Sequence, residues 1–328
     1  MHKLDLRDKK ILVVLSRNSR ESHIQIGKFV GISKGAVAYR INRLKQVGII
    51  KRFLTVINLT AIGYHTHNVF FKLHATKEKE DEVFHYFDNH PFIIWSCKFL
   101  GDWDFHAEIV AKDVNHYNKI MTEIVNTLGD CLEDYYAHAA IEIYKVDDIP
   151  RIFIQEAQLP APEPVPRKWK ENITLDVLDK KILYELNVDA VAPLHVLAEK
   201  CNTTLDVVHY RMKKLFETGA IIKYIPFVAI ENMGFMEYFC HLHLRNLSAE
   251  KANALKNHIL ISPYVKYAFR GVSQLEVLFL LAVPNIIELD KTIRELKSQF
   301  FESIIDINLH LIIEQGNFTL FPKGLLES

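Results

Sequence analysis

The sequence predicts an α+β protein built from two copies of one unit, each a winged helix-turn-helix followed by a ferredoxin-like βαββαβ domain. Three observations carry this. Residues 4–64 align without a gap on residues 175–235, a constant offset of 171, with 15 of 61 positions identical. The first part of each copy is punctuated like three short helices around a glycine-containing turn, the helix-turn-helix arrangement. The remainder alternates period-2 and period-3.6 apolar patterns in the order strand, helix, strand, strand, helix, strand.

The elements follow in order. Asp5 caps a helix whose apolar stripe is Ile11, Leu12 and Leu15. Ser22 precedes a short helix carrying Ile24, Phe29 and Val30, Gly31-Ile32 turns the chain, and Ser33 caps a third helix to about Gln46. Gly48 is a natural left-handed stop, and residues 49–57 read as a strand, a wing candidate. Then come strand 67–73, helix 80–89, strands 93–100 and 104–111 around a tight Gly101-Asp102-Trp103 turn, helix 114–128 and strand 132–144. Copy two repeats the order with strand 237–244, helix 250–261, strands 265–270 and 276–283, helix 286–301 and strand 304–313. The domains are therefore expected at 1–60 and 64–146, then 173–231 and 235–315. Residues 155–172 form a proline-rich linker between the copies, with Pro160, Pro162, Pro164 and Pro166 favouring a semi-rigid polyproline II spacer.

Composition sets limits. Forty Lys+Arg balance forty Asp+Glu, so any nucleic-acid footprint has to be local. Four scattered cysteines with no C-x-x-C pair argue against a zinc module or a disulfide-stapled fold and suit a reducing cytoplasm. No run of 18 apolar residues and no cationic-apolar leader appears, so membrane and secretion are not expected.

The local footprint lies on the third helix. Val37, Ile41 and Leu44 share its inward face, so Gly35, Tyr39, Asn42, Arg43 and Gln46 point outward beside Ala38. From Lys34 to Arg52 there are six basic residues and no acidic one. Tyr39 and Asn42 are placed to meet base edges, and Lys34, Arg40 and Arg43 to neutralise phosphates. The amides at Ser33–Gly35 add a helix-end anion site. Arg40, at the edge of the core face, has the alternative of bracing the wing. In copy two, Leu205 and Asp206 stand where copy one has Lys34 and Gly35, so this head is expected to bind more weakly. Arg211, Lys213 and Lys214 remain for phosphates.

The segments LDLRDKKIL, ISKGAVAYRINRLKQVGII, the Gly63 entry to the first strand of the second domain, and GDWD at 101–104 together resemble the Lrp/AsnC (feast/famine) regulators. The resemblance spans nearly the whole chain, twice, although most such regulators carry one copy. It implies a transcriptional regulator of double-stranded DNA, oligomerising through the βαββαβ domain. It also implies a small-effector site, usually for an amino acid, at the turn formed here by Gly101, Asp102, Trp103 and Asp104. Two carboxylates suit an ammonium group and Trp103 can wall the pocket, while a plain hairpin turn uses the same residues. Copy two reads Gly271-Val272-Ser273-Gln274 there, so a degenerate pocket is expected. The two βαββαβ domains are expected to pair as an intramolecular pseudo-dimer and chains to associate further, placing unlike heads on an imperfect palindrome.

Catalytic chemistry, a cofactor and a metal are not expected. His65-x-His67 and His241-x-His243 each put two imidazoles on one strand face, but a metal needs a third ligand and the register does not repeat between copies. One enzyme alternative stands: decarboxylases of sirohaem-type tetrapyrroles resemble the same architecture and occur as paired or fused copies. A small-molecule sensor that does not bind DNA is a further alternative. The basic helix and the GDWD turn favour the regulator.

Overall fold

The computed structural model describes residues 4–160, 172–245, 248–271 and 276–327. In the first head, α1 (Leu6–Arg17) begins with a capping box between Asp5 and Asp8, α2 (His23–Val30) is capped by Ser22 and ends at Gly31, and α3 (Lys34–Gln46) is capped by Ser33. Gly31 has φ +75°, which is what lets the chain reverse between α2 and α3. The inward faces Ile11, Leu12, Leu15, Ile26, Val37, Ile41 and Leu44 are all buried.

The strand after this head, β1 (Ile50–Ile57), is not the edge of a local wing. The same strand of copy two is β6 (Ile221–Val228), reached after α7 (Val177–Val188), α8 (Leu194–Lys200) and α9 (Leu205–Thr218), and the two pair antiparallel as one two-stranded sheet. Heads and sheet share one apolar cluster, and Thr55 Oγ1 donates to the Leu186 carbonyl at 2.8 Å from one head to the other. Arg20 reaches the carbonyls of Ala190 and Ala192. The two heads are thereby one body.

The remaining strands of copy one are β2 (His65–Leu73), β3 (Ile93–Leu100), β4 (Phe105–Ala111) and β5 (Leu132–Val146), with α4 (Lys77–Asn89) and α5 (Val114–Leu128) outside; α6 (Arg151–Ala157) follows. Those of copy two are β7 (Met236–Leu244), β8 (Val265–Gly271), β9 (Glu276–Val283) and β10 (Ile304–Gln315), with α10 (Ala249–Ile261) and α11 (Ile286–Gln299). The eight strands close into a barrel in the order β10-β3-β4-β2-β5-β8-β9-β7. Its seams are β5 on β8 and β10 on β3, the last strand of each copy pairing with the second strand of the other. Closure leaves no sheet edge. Alternate residues face two ways: Val69 and Phe71 pack outward under α4 and α5, while Phe70, Phe99, Phe239 and Phe269 fill the interior.

One reading of the connections needs correction. The stretch 155–172 does not begin as linker, because α6 runs to Ala157 and packs on α1, burying Phe153, Ile154 and Ala157, with Lys9 and Glu156 paired at 2.5 Å. Pro162, Pro164 and Pro166 lie outside the described residues. After β10 the chain crosses both copies: Asn317 bonds to the Asp88 carboxylate, Thr319 N–H donates to the Ile94 carbonyl, and Leu320 N–H donates to Asn187 Oδ1 before the short α12 (Lys323–Glu327).

Candidate nucleic-acid interface and barrel corners

On α3 the exposed residues are Lys34, Gly35, Tyr39, Asn42, Lys45 and Gln46, with Ala38 half-buried among them; Tyr39 is 67% exposed. Ser33 Oγ accepts the Ala36 N–H, and the first-turn amides of Lys34 and Gly35 have no partner within the helix, so they aim outward as an anion site. Lys45 lies over the Phe53 ring at 4.8 Å, which steadies its stem at the helix end.

The arginines behave differently. Arg40 Nη1 bonds Asp5 and Asp8 at 2.7 and 2.8 Å, and Arg43 Nη2 bonds Asp8 at 2.6 Å. Asp8 is fully buried. The hydrogen bond to Asp5 and then the one to Asp8 hold the Arg40 guanidinium above its ordinary pKa. Arg40 is thus neither a free phosphate ligand nor a brace for the wing. It clamps α3 onto the start of α1, and Arg43 is shared with that clamp. Copy two repeats it, with Arg211 on Asp176 and Asp179, so Arg211 leaves the phosphate set for the same reason. Lys213 and Lys214 are exposed, Lys213 facing Glu217 at 3.8 Å, and Asp206 is exposed in the first turn of α9.

The GDWD turn sits at a seam. A Cβ on Gly101 would stand 2.6 Å from Nδ1 of His310 on β10, so the turn closes against the other copy. Asp102 is exposed, Trp103 stacks 6.4 Å from Tyr136, and Asp104 Oδ2 already accepts the Leu73 N–H at 2.7 Å. Asp104 thus has one oxygen committed to the backbone, and Asp102 is the exposed carboxylate of the turn.

At the second seam Gly271 stands in the register place of Phe99 rather than of Gly101, and a Cβ on it would lie 1.8 Å from Nε2 of His138 on β5. Val272, Ser273 and Gln274 lie outside the described residues. Copy two has not lost both carboxylates, however. The pairs nearest the two turns, Lys98 with Phe105 and Arg270 with Val277, stand at an offset of 172 and enclose the same number of residues, so Glu276, which opens β9 opposite His243, takes the place of Asp104 one step beyond the pair Phe71 and Phe105. The Glu276 carboxylate accepts the Tyr136 hydroxyl at 3.0 Å, and His138 Nδ1 stands 3.2 Å away. Sequence reasoning passed over His138, His310, Tyr136 and Glu276. A signal existed: with the offset moved to 172, Asp134, His138, Ile141 and Glu142 meet identical residues at 306, 310, 313 and 314.

The barrel interior holds further imidazoles. His106 Nε2 lies 2.9 Å from Asn68 Oδ1, packed among the rings of Phe70, Trp95, Phe99 and Phe239 and beside Cys97, and burial presses its pKa down to about 3. It is neutral in the fold, whereas an unfolded imidazole titrates near 6.5. Stability is therefore complete above about pH 6.5 and falls as the pH drops from there towards 3, because only the unfolded chain takes the proton readily. His106→Asn is expected to flatten this dependence, read as a smaller gap between urea midpoints at pH 7 and pH 4.5; an unchanged gap would show that other groups carry the acid response.

Two helix-turn-helix heads set rigidly on a closed βαββαβ barrel, one bearing an exposed basic helix, define a DNA-binding regulator. Comparison with known proteins agrees. Residues 4–51 match the winged helix-turn-helix DNA-binding family and residues 175–215 the AsnC-type helix-turn-helix domain. The HTH-type regulator Ptr1 of Methanocaldococcus jannaschii is 30% identical over 125 residues, 38% of this chain and 84% of that protein. The proline dehydrogenase transcriptional activator of Rhizobium radiobacter is 32% identical over 127 residues, 38% and 81% of the two chains. Each relative thus spans about one copy. The chain belongs to the Lrp/AsnC family of helix-turn-helix transcriptional regulators, in a duplicated form. The fold of the whole duplicated chain is also that of the sirohaem decarboxylase NirDL, with a TM-score of 0.63 at 11% identity over 98% of this chain and 96% of the other. Among the described residues no helix is long and apolar enough to cross a membrane.

Proposed function

We propose that this regulator reads its operator through copy one, with copy two as the fixed partner that orients it. The exposed face of α3 carries the proposal: a small-residue amino end, Tyr39 and Asn42 in the middle, and Lys34, Lys45 and part of Arg43 around them, with no carboxylate on the helix. Tyr39 and Asn42 read base edges; the lysines and the free amides of the first turn hold phosphates. The head of copy two makes weaker phosphate contacts through Lys213 and Lys214. A small effector with an ammonium group, an amino acid being the simplest, sits at the first seam against Asp102 and Trp103, where a ligand can alter how the copies meet. Chains associate further, and the protein works in the cytoplasm without a cofactor.

Selection from random DNA over a salt series tests this. Lys34→Ala/Lys45→Ala is expected to lower affinity across all sequences and to reduce the salt slope by about one unit per lysine. Tyr39→Ala is expected to change the selected motif, with a loss of about 1–3 kcal/mol of discrimination. No enriched motif for the wild type would overturn the assignment of α3.

A second reading draws on the interior imidazoles. Among the described residues, buried nitrogens of His106, His138, His241 and His310 have no hydrogen-bond partner, and imidazole is an axial ligand of iron tetrapyrroles. NirDL has been solved with an iron-uroporphyrin III analogue. Against it, Phe70 and Phe239 pack at 5.3 Å and Phe99 and Phe239 at 6.0 Å, filling the interior that a macrocycle would enter. Adding iron porphyrin and recording the Soret band decides: a saturable red shift favours this reading, and an unchanged free-porphyrin band favours the regulator alone.

A further inference from the structure

We infer that His241, His243 and Glu276 form a binding site for a divalent first-row transition metal of the zinc class, at the second seam of the barrel. This does not rest on the DNA or tetrapyrrole readings. The strand period turns His241 and His243 of β7 to the same interior face, and the β7–β9 register sets Glu276 directly opposite His243. One ligand atom from each lies within 4.8 Å of the others. Donor atoms 2.0–2.1 Å from a tetrahedral zinc stand about 3.4 Å apart, so side-chain rotations closing roughly 1.4 Å complete the set.

Three further features point to a ligand. His241 is 93% buried from solvent, yet among the described residues its Nε2 has no hydrogen-bond partner, an arrangement that a bound cation would satisfy. Glu276 is oriented by groups that are not ligands: the Tyr136 hydroxyl donates to it, and His138 Nδ1 stands 3.2 Å away. Carboxylates and imidazoles at metal sites are held by such outer partners. Finally, His243 is 37% exposed and Glu276 20%, which leaves an entry path and an open coordination position. Two imidazoles and a carboxylate suit Zn²⁺, Co²⁺ or Fe²⁺ rather than Mg²⁺ or Ca²⁺, which prefer oxygen.

The site is confined to one seam. At the offset of 171, Phe70 takes the place of His241 and Lys72 that of His243, so the first seam keeps a carboxylate, Asp104, but offers no imidazole pair. Binding should therefore saturate at one ion per chain. The ligands come from copy two and the orienting groups, Tyr136 and His138, from copy one, so the ion would also tie the copies together.

The full chain, stripped with a chelator, is titrated with Co²⁺ while visible absorption is recorded, and with Zn²⁺ by calorimetry. One equivalent with a d–d spectrum of mixed nitrogen and oxygen ligation is expected. His243→Gln, a change at a half-exposed position that leaves the core intact, is expected to abolish saturable binding. Tyr136→Phe should weaken it about 10- to 100-fold without changing the stoichiometry, and His209→Ala on the exposed face of α9 should leave it unaltered. Absence of saturable binding in the wild type, or binding that survives His243→Gln, overturns the proposal.

Discussion

Asp8→Ala is expected to destabilise the first head by about 3 kcal/mol, the lower end of the range for leaving buried charges uncompensated. Asp8 is fully buried and does two things at once. Its carboxylate accepts Arg40 at 2.8 Å and Arg43 at 2.6 Å, and it completes the capping box with Asp5 at the start of α1. Without it, two guanidiniums on neighbouring turns of α3 lose their shared carboxylate, with only Asp5 remaining for Arg40. Both arginines keep some solvent, with side chains 16% and 30% exposed, which is why the effect stays at the low end. The corresponding Asp179→Ala in copy two should cost less, since Lys214 stands where copy one has Arg43 and only Arg211 loses a partner. Urea unfolding of both variants checks the order. The clamp also sets how α3 lies on α1, so Asp8→Ala should weaken DNA binding beyond what loss of folded protein explains. A shift below about 1 kcal/mol, with DNA binding intact, would show that the arginines are free for phosphates after all.

That clamp marks the limit of the sequence reading. The helices were legible because their signals are local: Asp5, Ser22 and Ser33 are caps, Gly31 and Gly48 are stops, and the apolar faces have the right period. The βαββαβ order was legible for the same reason. The helical wheel correctly turned Arg40 and Arg43 away from Val37, Ile41 and Leu44. It could not show that the long side chains reach back to carboxylates 32 to 35 residues earlier. Counting six cations between Lys34 and Arg52 treated as free three charges that already face carboxylates: Arg40, Arg43, and Lys51, which stands 3.3 Å from Glu231. The partner of β1 was hidden in another way. Alternation identifies a strand but not its neighbour, and a strand pairing with another 171 residues away reads like the edge of a local hairpin. At the second seam, one extra residue between β7 and β8 moves the offset from 171 to 172, so matching Gly101 to Gly271 set the turn out of register and a retained carboxylate looked lost.

The duplication has a physical consequence. A homodimer of single-copy regulators presents identical heads and identical seams. Here the β1–β6 sheet and the closed barrel fix the two heads in one chain, so each is free to differ without losing its partner. Copy one keeps a helix face without carboxylates, while copy two has Asp206 at the corresponding end and the His241, His243 and Glu276 group at its seam. These two differences sit where a head faces outward and where the copies meet. The shared pattern lies in the cores and in the Asp–Arg clamps, present in both heads.

Phe70→Ala should produce a larger loss, about 3–5 kcal/mol, the cost of removing a fully enclosed aromatic ring. Phe70 is 1% exposed and lies at the centre of the barrel, edge-on to Phe239 at 5.3 Å and near Phe99, His106, Tyr136 and His310. Two of these neighbours, Phe239 and His310, belong to copy two. The void would therefore be lined by both copies and loosen their joint packing, whereas Phe71→Ala, whose ring lies 5.0 Å from Phe87 under α4, creates a void within copy one alone. Unfolding followed by tryptophan fluorescence, with Trp95 inside the barrel as a reporter, separates the cases. Phe70→Ala should lower the midpoint and broaden or split the transition as the copies uncouple; Phe71→Ala should lower it without splitting. A small shift for Phe70→Ala would mean that the interior is loosely filled, and it would make room for the large planar ligand that the present packing opposes.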